Sequence, residues 1–436
     1  MNAFRNFFFR EIQANGFGLL RVLWGGLVFF WMLSVIRFVP FFYSESGFLP
    51  TPLGEITFRS AYRFSLLDGM ESTGVWILYF LLLTSALSAC VGKWPRISTI
   101  LTTVLLLSFH ERNLFPLGGG DKVLGLLGFL LCITPEIRAF SVERIPKQWN
   151  SWWKEHKLLP PLTMPIWPYR LLLWQVIVIY IFSGWEKMTG TMWTNGTAVA
   201  AVFHHPHFFR WGKDMADALS HPVFSATISY ATLMFLLAWA LLLIPRSLTS
   251  RLPQWVQPGT LKRTLILSGV MFHIGIFILL DVGAFSTAML AAYCGLLLEE
   301  DMNAIRTSLN ITSSGKFSVL FDGKCGFCQR SVFVLKMLDF LHRLSLVDFH
   351  NVEARKAVAP ELTFEELDKA MHIYLPGGRV EKGFDAFRII AWHLPALWIA
   401  VPFLYIPGIP PIGRRIYAEI AKRRKSCTGD SCTFRP

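Results

Sequence analysis

Val319-Leu-Phe-Asp-Gly-Lys-Cys-Gly-Phe-Cys-Gln-Arg-Ser-Val332 decides how the last third of the chain is built. It opens as a short apolar run, breaks at Asp322-Gly323, places cysteines at 325 and 328, and continues with apolar residues at helical spacing (Phe327, Val334, Leu338, Leu341). The spacing predicts a strand, a tight turn and a helix starting near Cys325. Cys325 then lies where unpaired backbone N–H groups and the positive end of the helix dipole favour a thiolate. Cys328 follows about one turn later, within reach of a disulfide, which is what reversible two-electron thiol chemistry requires.

The composition of the rest points to a membrane. The chain has 436 residues, 53% of them hydrophobic and only 16% charged, and a mean hydropathy of +0.44. A soluble domain carries about 25% charged residues. The net charge of +13 fits loops that meet anionic lipid, so lipid and not nucleic acid is the expected partner. Of seven cysteines, Cys90, Cys132 and Cys294 sit in apolar runs as small core residues, and nothing resembles a secreted disulfide framework.

Met1–Phe17 mixes phenylalanines with Arg5 and Arg10, as a helix on a bilayer surface does. Eight apolar runs follow: Leu19–Val39, Val75–Val91, Ile97–Phe109, Val123–Thr134, Leu171–Gly184, Val223–Ile244, Leu265–Leu280 and Phe285–Leu298. The first is read as a retained span, not a signal peptide. The expectation is an all-α multi-pass membrane domain of about eight helices over residues 1–300, a linker over 301–315 and a small α/β thioredoxin-like domain over 316–436. Lysines and arginines such as Lys93, Arg96, Arg144, Lys147, Lys154, Lys262 and Arg263 fall on the side of the N-terminus, which predicts a protein of the plasma (bacterial inner) membrane with both termini cytoplasmic. Trp149, Trp152 and Trp153 beside Lys154 read as an interfacial belt, and Trp398–Ile406 as a run too short to span that docks on the membrane domain or on the membrane surface.

Beyond the cysteines, Leu344–Phe349 reads as a strand, Phe364–Lys369 as a helix, Met371–Leu375 and Arg379–Lys382 as a hairpin around Pro376-Gly377-Gly378, and Asp385–Leu394 as a helix. That is a thioredoxin-like order. In a reducing cytoplasm a cycling pair persists where a structural disulfide does not. Phe321-Asp-Gly-Lys-Cys-Gly-Phe-Cys328 resembles the signature of the DCC family of thiol–disulfide oxidoreductases, as do Gly383-Phe-Asp-Ala386 and the basic, cysteine-ended tail. The resemblance implies that Cys325 is the attacking thiolate, Cys328 the resolving thiol and Asp322 a conformational or proton-handling neighbour. Thioredoxins place a cis-proline before the strand matching Met371–Leu375. Lys369-Ala370 stands there instead, so a small thiol or a partner protein of another kind is expected as substrate. Two readings compete: Asp322 as a helix cap or turn residue, and Cys325, Cys328, Cys427 and Cys432 as a four-thiolate zinc site.

Within the apolar region, Lys187 closes a span beside Glu186, His273 sits inside an apolar run and Asp281 ends it. Ionisable groups at such depth mark functional sites, although Lys187 can equally snorkel or pair with Glu186 and His273 can be a hydrogen-bonded packing residue. His204-His-Pro-His207 reads as loop more readily than as a metal site. Phe42-Tyr-Ser-Glu-Ser-Gly-Phe-Leu-Pro50, Asn113-Leu-Phe-Pro-Leu-Gly-Gly-Gly-Asp121, Ser183-Gly-Trp-Glu-Lys187 and Phe272-His273 together resemble the horizontally transferred transmembrane domain shared with vitamin K-dependent γ-glutamyl carboxylases. That resemblance implies a base at Lys187, a conserved-core role for His273 and a pocket for a quinone or reduced vitamin K-like ligand, whereas thiol exchange requires no cofactor. It leaves a carboxylase-like oxygenase, or a non-enzymatic scaffold with a zinc-bound tail, as alternatives to the thiol enzyme.

Overall fold

Each of the eight apolar runs is helical in the computed structural model, which describes residues 2–58, 64–245, 248, 253, 257–309 and 316–422. The chain divides into two units. One comprises Met1–Lys147 and Leu159–Asp301, the other Gln148–Leu158 and Met302–Pro436.

Among the described residues of the first unit, five helices are long and apolar enough to cross a membrane: Asn15–Ser34, Ser72–Val91, Trp167–Met188, Pro222–Leu243 and Pro258–Leu279. The other three apolar runs form Pro95–Arg112, Gly119–Ile133 and Phe285–Gly295. Helices this apolar do not choose their neighbours by hydrophobicity when lipid is equally apolar, so close approach and polar ties do the sorting. Gly25 is one such approach: a Cβ there would stand 2.6 Å from the Cys90 backbone nitrogen. Arg21 is the main polar tie. Fully buried, it donates to the carbonyl oxygens of Ala89, Cys90, Ile137, Ala139 and Phe140. The first two are orphan acceptors in the last turn of Ser72–Val91. At the unit's end, buried Lys262 pairs with buried Asp301 and donates to Tyr169 Oη at 3.1 Å.

The amino-terminal segment differs from its expected single surface helix. A helix over Asn2–Phe9 gives way to a strand, Glu11–Gln13, paired antiparallel with Thr163–Pro165. Nothing local in either three-residue segment announces a partner some 150 residues away.

The second unit carries the expected sheet. Phe317–Phe321 lies centrally, parallel to Leu344–Asp348 on one side and antiparallel to His372–Tyr374 on the other, with Val380–Lys382 outermost. The parallel pair needs a crossover, and the cysteine helix, Gly326–Leu338, supplies it. Gly377 and Gly378 both have left-handed φ (94° and 86°), which is why the hairpin turn uses glycine twice. A helix over Val352–Val358, capped by Asn351, was not anticipated.

Gln148–Leu158, which lies within the membrane domain in sequence, groups by its contacts with the C-terminal unit. Trp152 is buried there with Phe321, Val332, Phe333 and both cysteines, and the Trp149 ring meets Phe333 edge-on at 5.2 Å. Only Trp153 is exposed as the interfacial-belt reading expects.

Candidate functional site

Cys325 is the N-cap of the Gly326–Leu338 helix, with extended backbone (φ −87°, ψ 114°). Its own N–H is held from behind by Asp322, whose Oδ1 accepts from Lys324 N at 2.9 Å and Cys325 N at 3.2 Å. Asp348 fixes the preceding residue, Oδ1 accepting from Gly323 N at 3.0 Å. Gly323 has no alternative, since a Cβ would fall 2.2 Å from Asp348 Oδ2. Gln329 Nε2 closes the turn by donating to Gly323 O at 2.5 Å. Asp322 therefore does what the turn reading assigned to it.

Both cysteines are buried, Cys325 4% and Cys328 6% exposed. The Cys325 thiol is pulled down to about 6. The largest influence is the hydrogen bond from the Cys328 thiol; burial opposes it, the backbone N–H groups of Cys328 and Phe327 add to it, and the Asp322 charge opposes it. Thiolate at a helix start, stabilised by N–H groups and by its partner thiol, is the arrangement that thiol exchange uses.

Sequence reasoning missed His350. Its Nε2 bonds Asp322 Oδ1 at 2.9 Å and its N–H donates to Asp348 Oδ1 at 3.1 Å. The parallel register pairs Phe321 with Asp348, so the residues just past both strand ends meet. The signal was present as Asp348-Phe-His350, but using it required knowing the pairing. A cavity of about 260 Å³ opens beside this end of the sheet, lined by Trp152, His156, Phe321, Lys336, Leu346 and Asp348.

Asp322→Asn retains an acceptor for the two N–H groups and removes the charge that opposes the thiolate. The expected result is a Cys325 alkylation half-point below about 6 and a stability loss of about 1 kcal/mol, measured from the pH dependence of iodoacetamide modification and from denaturant unfolding.

Within the first unit, Lys187 and His273 each bond a residue of the helix Trp167–Met188. Lys187 Nζ donates to Ser183 Oγ at 2.8 Å and lies over the Trp193 ring. His273, fully buried, has Nε2 2.7 Å from Tyr180 Oη, which also contacts Tyr293 Oη. Tyr180 precedes Lys187 by seven residues on the same helix, a rise of about 10 Å. Trp239 stacks on both tyrosines. His273 is thus a hydrogen-bonded member of an aromatic core, and Tyr180 and Tyr293 are partners that no local pattern singled out. Asp281 pairs with Arg210 at the surface, and His204 bonds Asp217 at 2.9 Å. Among the described residues no group of three or more His, Cys, Asp or Glu side chains is placed to hold a metal ion. Cys427 and Cys432 lie outside the described residues.

Two family descriptions match the chain: an HTTM domain over residues 9–294 and a DCC1-like thiol-disulfide oxidoreductase over residues 319–430. No curated protein and no solved structure matches it.

Proposed function

We propose, for a chain that belongs to the HTTM-domain family and carries a DCC1-like thiol-disulfide oxidoreductase domain at its C-terminal end, that Cys325 and Cys328 form a dithiol that cycles against a disulfide partner at the membrane. The thiolate of Cys325 attacks one sulfur of the partner disulfide. A Cys325–partner disulfide forms, the partner S–S bond breaks, and the departing sulfur takes a proton. Cys328 then gives up its proton and attacks Cys325 Sγ, releasing the second partner thiol. The partner gains two electrons and two protons, and the protein is left with a Cys325–Cys328 disulfide. The reverse sequence oxidises a dithiol.

The observation that carries this reading is the setting of Cys325, an N-cap thiolate held by Cys328 and by helix N–H groups. The reading takes the pair to face the cytoplasm, as the lysine and arginine distribution predicts. A quinone-like ligand and oxygenase chemistry at Lys187 form no part of this proposal, which rests on the cysteine pair alone.

The test is the pH profile of alkylation of the reduced protein in membranes. Modification of Cys325 should rise with a half-point near pH 6 and be flat above pH 7, where an ordinary thiol would still be climbing toward about 8.5. A half-point at the ordinary value would remove the basis for the proposal.

A further inference from the structure

We propose that Trp398–Ile420 is a bilayer-docking face of the C-terminal unit, with apolar side chains entering the membrane interface and basic side chains meeting anionic lipid headgroups. This inference stands apart from the thiol reading and uses none of its residues.

The segment leaves more apolar surface uncovered than a protein in water retains without reason. Ile399 is 85% exposed and Phe403 64%, and Trp398, Ile406, Ile412 and Ile416 are exposed beside them. The isoleucines belong to the Ile409–Lys422 helix, where spacing by four puts Ile412, Ile416 and Ile420 on one stripe. The adjoining stripe is already used: Gly413 packs against Phe384, and Tyr417 Oη accepts from Met371 N at 2.9 Å. The helix therefore has one apolar stripe holding it to its own unit and another turned outward. The Trp398 ring is fixed rather than dangling, its Nε1 donating to Trp392 O at 2.9 Å.

Charge identifies the occupant. The helix Ile409–Lys422 holds Arg414, Arg415 and Lys422 against one glutamate, Glu419, Arg414 also pairing with Asp385 at 2.8 Å, and Arg423, Arg424 and Lys425 follow in the sequence. Exposed isoleucine, phenylalanine and tryptophan next to a basic run is the composition of a helix lying in an anionic interface. Pro395, Pro402, Pro407 and Gly408 interrupt the preceding run, so it enters the interface without crossing it. A bilayer is also at hand, because among the described residues of the same polypeptide five helices are long and apolar enough to cross one, and a tethered surface is met at high effective concentration.

The experiment uses the full chain in nanodiscs of phosphatidylethanolamine and phosphatidylglycerol. A photo-crosslinking phenylalanine analogue replaces Ile399 or Phe403, and, as a control, Val352, which is exposed on the helix following the opposite edge strand. Irradiation is expected to attach phospholipid to the peptides carrying positions 399 and 403 many-fold above position 352. The double substitution Ile412→Asp with Ile416→Asp should cut the adduct at 403 several-fold while Cys325 alkylates at its original rate, which reports an intact fold. Crosslinks to peptides of Met1–Asp301 or to a second copy of the chain, or lipid adducts no higher than at position 352, would overturn the proposal.

Discussion

Replacing Cys328 by serine is expected to leave Cys325 trapped in a mixed disulfide with any small disulfide offered, with a lifetime at least about a thousandfold longer than in the native protein. The factor comes from what the second thiol does. A half-point of about 6 makes Cys325 about nine-tenths thiolate at pH 7, roughly thirtyfold more than an unperturbed thiol. Nucleophilicity falls with basicity, so most of that gain cancels in the attacking step. The lasting advantage is in resolution, where Cys328 attacks Cys325 Sγ from within the same helix turn and the partner's sulfur departs. Without Cys328, resolution waits for a dilute external thiol, and the adduct accumulates. Serine retains a donor toward Cys325, whereas Cys328→Ala removes the largest influence raising its acidity and is expected to raise the alkylation half-point. Intact-mass measurement of the three variants decides the matter: Cys328→Ser should carry the adduct, Cys325→Ser should not. An adduct that survives Cys325→Ser would reassign the attacking residue.

Periodicity made the helices and the thiol turn legible. A run such as Ser72–Val91 is apolar on every face, so its state depends on no partner. Val319–Cys328 combines an apolar strand, an Asp-Gly break and an N-cap position within ten residues, and each step there is local. What escaped was set by pairing between distant segments. His350 reaches Asp322 only because two strands run parallel in one register. Tyr293 joins His273 through Tyr180, so three helices must be placed before the cluster exists. Charge misleads in the same way. Lys262 reads as a loop cation facing lipid headgroups, yet it is buried against Asp301. Three tryptophans beside a lysine look alike whether they face a membrane interface or a protein core, and Trp152 turned out to face a core.

That burial gives the second large effect: Trp152→Ala is expected to cost the C-terminal unit about 3–5 kcal/mol. Domain stabilities are typically about 5–15 kcal/mol, so the loss is a large share of what keeps the thiol site folded. The ring is only 3% exposed and shares its cluster with Phe321, Phe333 and both cysteines, Phe333 lying 6.3 Å away between centroids. Part of the effect is separable. The indole N–H is buried without a hydrogen-bond acceptor, so Trp152→Phe keeps much of the packing while deleting an unsatisfied donor, and should cost less than about 1.5 kcal/mol. Alanine and phenylalanine variants are compared by denaturant-dependent alkylation of Cys328, which reports opening of this cluster rather than of the membrane helices. Alanine should bring Cys328 into reach at markedly lower denaturant, and phenylalanine should stay near the native midpoint. If alanine leaves the midpoint unchanged, Gln148–Leu158 does not stabilise the thiol unit. Should it shift as expected, a short helix, Ile145–Glu155, lying between two membrane-domain helices in the sequence is a structural part of the thiol site, and changes to it will reach the cysteines without altering any residue near them in sequence.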